Sequence, residues 1–380
     1  MDVTFLISTY NRRDVLLDTL ARLPACGLPA GRFEIIVVDN ASTDGTADAV
    51  AARFPHVRLI REATNRGPCS KNAGLAIARG AYVVFLDDDS FPTGPRDILR
   101  MIAHFDARPR LAAAVFTVTL PNGTRECSAY PTVFIGCGTG FRKAALDQVG
   151  GLPEDFFMAG EEYDLSLRLL DAGWDVRPFA DLHVTHLKTP GARFPERITT
   201  LDVRNNLLLV YRYFPQRWAD TYRDDWMTRY RLIARAKGHE RAFDQGLADA
   251  ASAIAASPVR RIVSDATFER FANLAETERR LRACVERHGA RRVLFVDLGK
   301  NIPAYRLAAH AAGVEVVAIA DANLGGRGFA YHGIDVVTDE AARTVTFDLA
   351  VVSNLSPVHA AARYDLWRTL TDKPVVRLFA

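Results

Sequence analysis

Three adjacent carboxylates, Asp87, Asp88 and Asp89, follow directly on the apolar run 81–86. Like charges held this close repel one another, so a site that gathers them is usually stabilised by a cation. Hard divalent ions take carboxylate oxygens together with phosphate oxygens, which makes the triplet a cradle for a metal and a diphosphate. A second acid, Asp39, ends the apolar run 34–39, where it could accept hydrogen bonds from a ribose or a base. Glu161, Glu162 and Asp164 gather at the start of a strongly amphipathic stretch, and a carboxylate there could take the proton of an attacking hydroxyl. Each cluster also has a plain structural reading: an acidic surface turn, a strand-to-helix loop over 40–45, and negative charge favoured at a helix N-terminus.

The elements that position these groups follow a βαβ rhythm. Apolar runs at 3–8, 34–39, 57–61 and 81–86 read as buried strands, and 14–23, 43–53 and 68–78 read as the helices between them. The polar residues therefore collect after the strands, at the carboxyl edge where open α/β sheets bind ligands. A strand is expected near 113–120, a Gly-rich passage at 136–140 and a helix at 162–172. From 198 to 288 helical periodicity dominates, broken at Pro215 and Pro258, and a second, smaller βαβ array begins near 289. The expected organisation is thus a mostly parallel α/β domain over 1–197, a helical connector over 198–288 and a Rossmann-like α/β domain over 289–380.

Composition narrows the function classes. A formal charge of +3 over 380 residues gives no electrostatic footprint for nucleic acid. The five cysteines are odd in number and scattered, with no CxxC pair and no metal-ligand spacing, so free thiols in a reducing compartment are expected. The N-terminal stretch runs quickly into polar residues and no later run is long enough to span a bilayer, so the expected location is the cytoplasm.

Six motifs in order, STYNR at 8–12, VVDNASTDGT at 37–46, Asn65-Arg66-Gly67 with Lys71-Asn72-Ala73-Gly74, LDDD at 86–89, GCGTGFRKAAL at 136–146 and GEEYDLSLR at 160–168, together resemble family 2 glycosyltransferases of the GT-A fold, the nucleotide-diphospho-sugar transferase architecture. That group includes rhamnosyltransferase-like and polysaccharide-assembly enzymes of bacteria. The resemblance covers about residues 1–190. It implies a nucleotide-diphosphate sugar as donor, a hydroxyl of a saccharide, lipid-linked or small-molecule acceptor, and Mn²⁺ or Mg²⁺ as cofactor. It also implies nucleotide contacts from Thr9, Asn11 and Asp39 and a substrate-binding part for Lys71, Asp88 and Glu161. The acidic triplet resembles a DxD motif, with Asp87 at the ribose and Asp89 at the metal. His186 is the better match to a later metal-site histidine, with His183 second. The base position falls on Glu162, but the family usually has Asp there, and the extra methylene could move the carboxylate by about 1.5 Å. Glu161 and Asp164 therefore stay open as alternatives.

Two competing functions share this general architecture. A sugar-nucleotide nucleotidyltransferase would need a Gly-rich phosphate loop after the first strand, where this chain has STYNRR. A non-catalytic nucleotide-sugar-binding or scaffold protein would keep the fold without turnover. Tyr222, Trp226 and Tyr230 recur every four residues and form one helical stripe, read either as an aromatic packing seam or as a surface for peripheral contact with the inner face of a membrane. In the last unit Asp321 ends the second strand, about where a ribose-binding acid would stand, although no GxGxxG precedes it.

Overall fold

The computed structural model describes residues 1–189, 194–257 and 259–379, and Pro258 lies outside the described residues. The chain divides into two compact units: Met1–Ser128 with Thr132–Phe194, and Ala129–Pro131 with Pro195–Ala380.

The first unit opens with β1 (Val3–Thr9), α1 (Arg13–Arg22), β2 (Phe33–Asp39), α2 (Thr46–Arg53), β3 (Arg58–Arg61), α3 (Lys71–Ile77) and β4 (Tyr82–Asp87). The strands form because their apolar residues alternate between two cores. Phe5, Ile7, Ile35, Val37, Val84 and Leu86 pack on one face, and Leu6, Ile36, Val38, Val83 and Phe85 on the other. A strand covered on both faces reads as an unbroken apolar run. Each side chain so buried contributes about 1.5–3 kcal/mol over leaving it in water. β1 pairs in parallel with β2 and β4, in registers that set Thr9 opposite Asp39 and Ser8 opposite Asp87.

After β4 come β5 (Ser90–Pro92), α4 (Asp97–Asp106), β6 (Leu111–Thr119), β7 (Arg125–Glu126), β8 (Thr139–Arg142), α5 (Lys143–Val149), α6 (Glu161–Asp171) and β9 (Asp175–His186). Among the described residues they complete a nine-stranded sheet in the order β3-β2-β1-β4-β8-β6-β9-β5, with β7 on β6. The sheet is mixed. The part expected only as a Gly-rich passage supplies β8, which runs antiparallel between β4 and β6. β5 lies antiparallel on β9 and sets Ser90 opposite His186.

The second unit holds α7 (Pro195–Tyr213), α8 (Gln216–Lys237), α9 (Glu240–Ala256), α10 (Asp265–Ala272) and α11 (Leu274–His288). They are followed by β10 (Arg292–Val296), α12 (Ile302–Ala311), β11 (Glu315–Ala320), β12 (Phe329–Tyr331), β13 (Ile334–Val337), α13 (Asp339–Ala342), β14 (Leu349–Val352), α14 (Pro357–Leu370) and β15 (Val375–Arg377). Its sheet runs β12-β13-β11-β10-β14-β15 and is parallel apart from the β12–β13 pair.

The aromatic stripe of α8 is internal to this unit. Tyr222 and Trp226 are fully buried and Tyr230 nearly so. Phe214 meets Trp226 at 5.4 Å and Phe268 at 4.8 Å between ring centroids. The stripe is therefore a packing seam and offers no face to headgroups. No helix among the described residues is long and apolar enough to cross a membrane.

Candidate active site

The carboxyl ends of β1, β2 and β4 lie side by side, and the loops leaving β1 and β2 are fastened to each other. The Asn11 backbone N–H donates to Ser42 Oγ at 2.8 Å and the Thr43 N–H donates to Asn11 Oδ1 at 2.7 Å. Asn11 and Ala41 both have left-handed backbones, φ 52° and 62°, a strained conformation for residues with a side chain. Asn11, expected at the nucleotide, has its side-chain oxygen engaged in this clamp.

Asp39 is 3 % exposed. Its Oδ2 accepts from the Ser42 N–H at 3.3 Å, while Oδ1 is buried with no hydrogen-bond donor. A carboxylate oxygen left in that state is destabilising until a donor reaches it. Lys71 opens α3 and is buried, with Nζ 3.2 Å from Ser8 Oγ and 3.7 Å from Asp87 Oδ1. The turn before it depends on Gly67, φ +60°, where an added Cβ would come 2.5 Å from the Phe157 carbonyl oxygen.

The three aspartates face different ways. Asp87 is partly exposed, its side chain open by 31 %. Asp88 turns inward: it accepts from Thr9 Oγ1 at 2.8 Å and pairs with Arg12 Nε at 2.9 Å. Burial pushes its carboxyl up to about 7 despite the guanidinium beside it. The substrate contacts expected of Asp88 and Thr9 are, in this geometry, a contact with each other. Asp89 accepts through Oδ2 from Arg12 Nη2 and from the Thr189 N–H, both at 2.8 Å. Its Oδ1 stands 3.2 Å from His186 Nε2.

His186 is held by the β5–β9 pairing and by Glu126, whose Oε2 lies 3.0 Å from Nδ1. Nε2 therefore faces the acidic turn, 4.0 Å from Asp87 Oδ2. Burial works against a charged imidazole here, yet hydrogen bonding to Asp89, Cys137 and Glu126 pushes it up to about 12. His183 lies apart, 3.6 Å from Asp97. Asp87, Cys137 and His186 offer ligand atoms within 4.8 Å of one another. Carboxylate, imidazole and thiol within that span, with a carboxylate orienting the imidazole, suit a divalent cation.

α6 brings the remaining carboxylates. Gly160 precedes it at φ +95°, after Phe157 and Ala159 at 60° and 68°, so the chain enters the helix through a left-handed loop that glycine completes. Glu161 is 6 % exposed, with Oε2 lacking a partner. Burial, reinforced by Glu162, raises it well above the usual carboxylate range; Lys71 opposes this and Asp87 adds to it. Glu162 is partly exposed, and a Cβ placed at Gly136 would lie 3.7 Å from its Oε1. Asp164 is buried against Arg168, with Oδ1 2.8 Å from Nε, and Arg168 also binds the carbonyls of Val149 and Gly151. Asp164 is thus a helix-to-loop tie, remote in role from an open base.

Sequence reasoning missed Arg12, Glu126 and Cys137. Arg12 sits inside the STYNR motif, which was a usable signal. Glu126 and Cys137 join His186 only through strand pairing across distant stretches, and no spacing announces that. In the second unit Asp321 does not stand open to a ribose. It accepts from the backbone N–H groups of Leu298, Asn323 and Leu324, each at 2.9 Å.

Residues 4–130 match the family model Glycosyl transferase family 2. Succinoglycan biosynthesis protein ExoO of Rhizobium meliloti (strain 1021) is 39 % identical over 108 residues, 28 % of this chain and 30 % of the relative. Poly(ribitol-phosphate) beta-glucosyltransferase of Bacillus spizizenii is 30 % identical over 105 residues, 26 % of this chain and 16 % of the relative. The chain thus spans less than a third of the length of these curated relatives. The crystal structure of S. aureus TarS 1–349 in complex with UDP-GlcNAc superposes with a TM-score of 0.52 at 17 % identity, covering 83 % of this chain and 93 % of that one. At that identity the likeness speaks for the fold, an α/β architecture of GT-A type. Motif order and sheet architecture agree with the match of residues 4–130 to glycosyl transferase family 2.

Proposed function

We propose that this chain is an inverting glycosyltransferase that moves a sugar from a nucleotide-diphosphate donor to an acceptor hydroxyl, with a divalent ion as cofactor. One observation carries the reading. Asp39, Lys71, Asp87 and Asp89 collect at one carboxyl edge of the sheet, and the charges of Lys71 and Asp87 act on Glu161. An open α/β sheet binds its ligand at that edge.

Asp39 Oδ1 accepts from the base or ribose and so gains the donor it lacks. Asp87, the open member of the triplet, meets the ribose hydroxyls. The Lys71 ammonium adds positive charge beside the diphosphate, where transferring groups are stabilised electrostatically. A Mn²⁺ or Mg²⁺ held by Asp89 and His186, with Asp87 beside them, would offset the charge that grows on the leaving diphosphate. Glu162 takes the acceptor hydroxyl proton as that oxygen attacks the anomeric carbon opposite the leaving group. The new C–O bond forms as the C–O bond to the diphosphate breaks, its electron pair leaving with the phosphate. No sugar–enzyme bond is needed.

Likeness to a succinoglycan biosynthesis protein and a poly(ribitol-phosphate) beta-glucosyltransferase favours a growing saccharide or polyol-phosphate chain as acceptor. The purified full chain, incubated with a panel of nucleotide sugars, candidate acceptors and Mn²⁺, is expected to release free nucleoside diphosphate and to yield a product of inverted anomeric configuration by NMR. Donor binding without release across the panel would favour the non-catalytic binder. A retained configuration would overturn the inverting mechanism.

A further inference from the structure

We propose that Cys137 is itself a ligand of the cation, so that the seat is Asp87, Cys137 and His186 and selects thiophilic ions over Mg²⁺. Their ligand atoms lie within 4.8 Å of one another, a span that one ion at ordinary bond lengths can bridge. Cys137 is 4 % exposed and His186 likewise, while Asp87 opens outward. Two buried donors with one open edge leave room for substrate oxygens to complete the coordination. Glu126 fixes His186 from behind through Nδ1 at 3.0 Å, the carboxylate–imidazole arrangement that orients a metal-binding histidine.

The donor set decides the ion. Mg²⁺ demands oxygen ligands and octahedral geometry, whereas a thiolate with an imidazole and a carboxylate suits Zn²⁺, Co²⁺ or, more weakly, Mn²⁺. On coordination the Cys137 S–H and the His186 Nε2–H bonds give way to S–metal and N–metal bonds, and both protons pass to solvent. Asp89, with Oδ2 held by Arg12 and the Thr189 N–H, then borders the ion through Oδ1 alone. The inference rests on the donor reading only for what the ion faces; the triad stands on its own geometry.

The test is cobalt titration of the full chain, followed by absorption and calorimetry. Wild type is expected to bind one Co²⁺ with a thiolate-to-cobalt charge-transfer band in the near ultraviolet. The band is lost in Cys137→Ser and Cys137→Ala, and Zn²⁺ affinity falls at least about 10-fold, while Mg²⁺ affinity shifts by less than about 2-fold. His186→Ala loses both the band and tight binding, and circular dichroism checks that each variant folds. Cobalt bound by wild type without the band, or a band that survives in folded Cys137→Ala, would overturn the assignment. Neither outcome touches nucleoside diphosphate release, and a chain inactive toward every donor yet showing the band would overturn only the transferase reading.

Discussion

Glu126 Oε2 stands 3.0 Å from His186 Nδ1, which turns Nε2 of the same ring toward Asp87 and Asp89. Removing an orienting carboxylate of this kind weakens a metal site about 10- to 100-fold. Glu126→Ala is therefore expected to lower Mn²⁺ affinity by that factor in calorimetry with the circular dichroism spectrum intact. Unchanged affinity would show that the ring holds its pose without the tether.

Glu161 and Glu162 are neighbours with opposite surroundings. Burial raises the Glu161 carboxyl well above the ordinary carboxylate range, which disfavours the charged form that a general base needs. Glu162→Gln is expected to lower turnover at least about 100-fold, and Glu161→Gln, an isostere of the protonated acid, less than about 10-fold. Reversed magnitudes in the same nucleoside diphosphate release assay would move the base to Glu161.

Arg12 is the counter-charge of two buried aspartates, Asp88 at 2.9 Å and Asp89 at 2.8 Å. Breaking a buried pair strands the partner charge and costs about 3 kcal/mol or more. Arg12→Gln should show that loss in urea denaturation, and Arg12→Lys should recover only part, because a single ammonium cannot reproduce the forked geometry. A stability equal to wild type in Arg12→Gln would mean that His186 and Thr189 suffice.

Asp348 accepts from the backbone N–H groups of Arg291 and Arg292 and pairs with the Arg292 side chain. These bonds hold its carboxyl below the usual range, at about 2. A depressed acid adds stability that is fully present above its unfolded value and is lost as pH falls through the folded one. The melting temperatures of wild type and Asp348→Asn are therefore expected to differ at pH 7 and to converge between about pH 4 and pH 2. A gap that persists at the acid end would place the effect elsewhere.

Asp321 fastens three backbone N–H groups in the loops above the second sheet. Asp321→Ala strands them and is expected to cost about 2 kcal/mol or more of stability. Nucleotides should leave the thermal midpoint difference between variant and wild type unchanged. A nucleotide-dependent difference would restore a ligand to that edge.

The strands were legible because their residues are covered on both faces, so β1, β2 and β4 read as unbroken apolar runs. Helix starts were less so. α2 begins at Thr46, not at 43, because Asp44 and a left-handed Gly45 extend the turn. The stretch from 68 opens as a tight 3₁₀ turn over Gly67–Ser70 before α3. In the site, Asp39, Asp87 and Glu161 could be found because each ends a strand or opens a helix. The bonds of Glu126 and Cys137 to the site depend on which strands pair, Val118 with Glu126 and Phe85 with Thr139, and that is tertiary information.

The clamp between Asn11 and the Ser42–Thr43 loop joins the tips of two strands into one stiff floor. A molecule arriving there meets a surface already shaped, so little motion has to be frozen when it docks. Capture is then governed by encounter frequency and charge rather than by folding of the receptor around its guest.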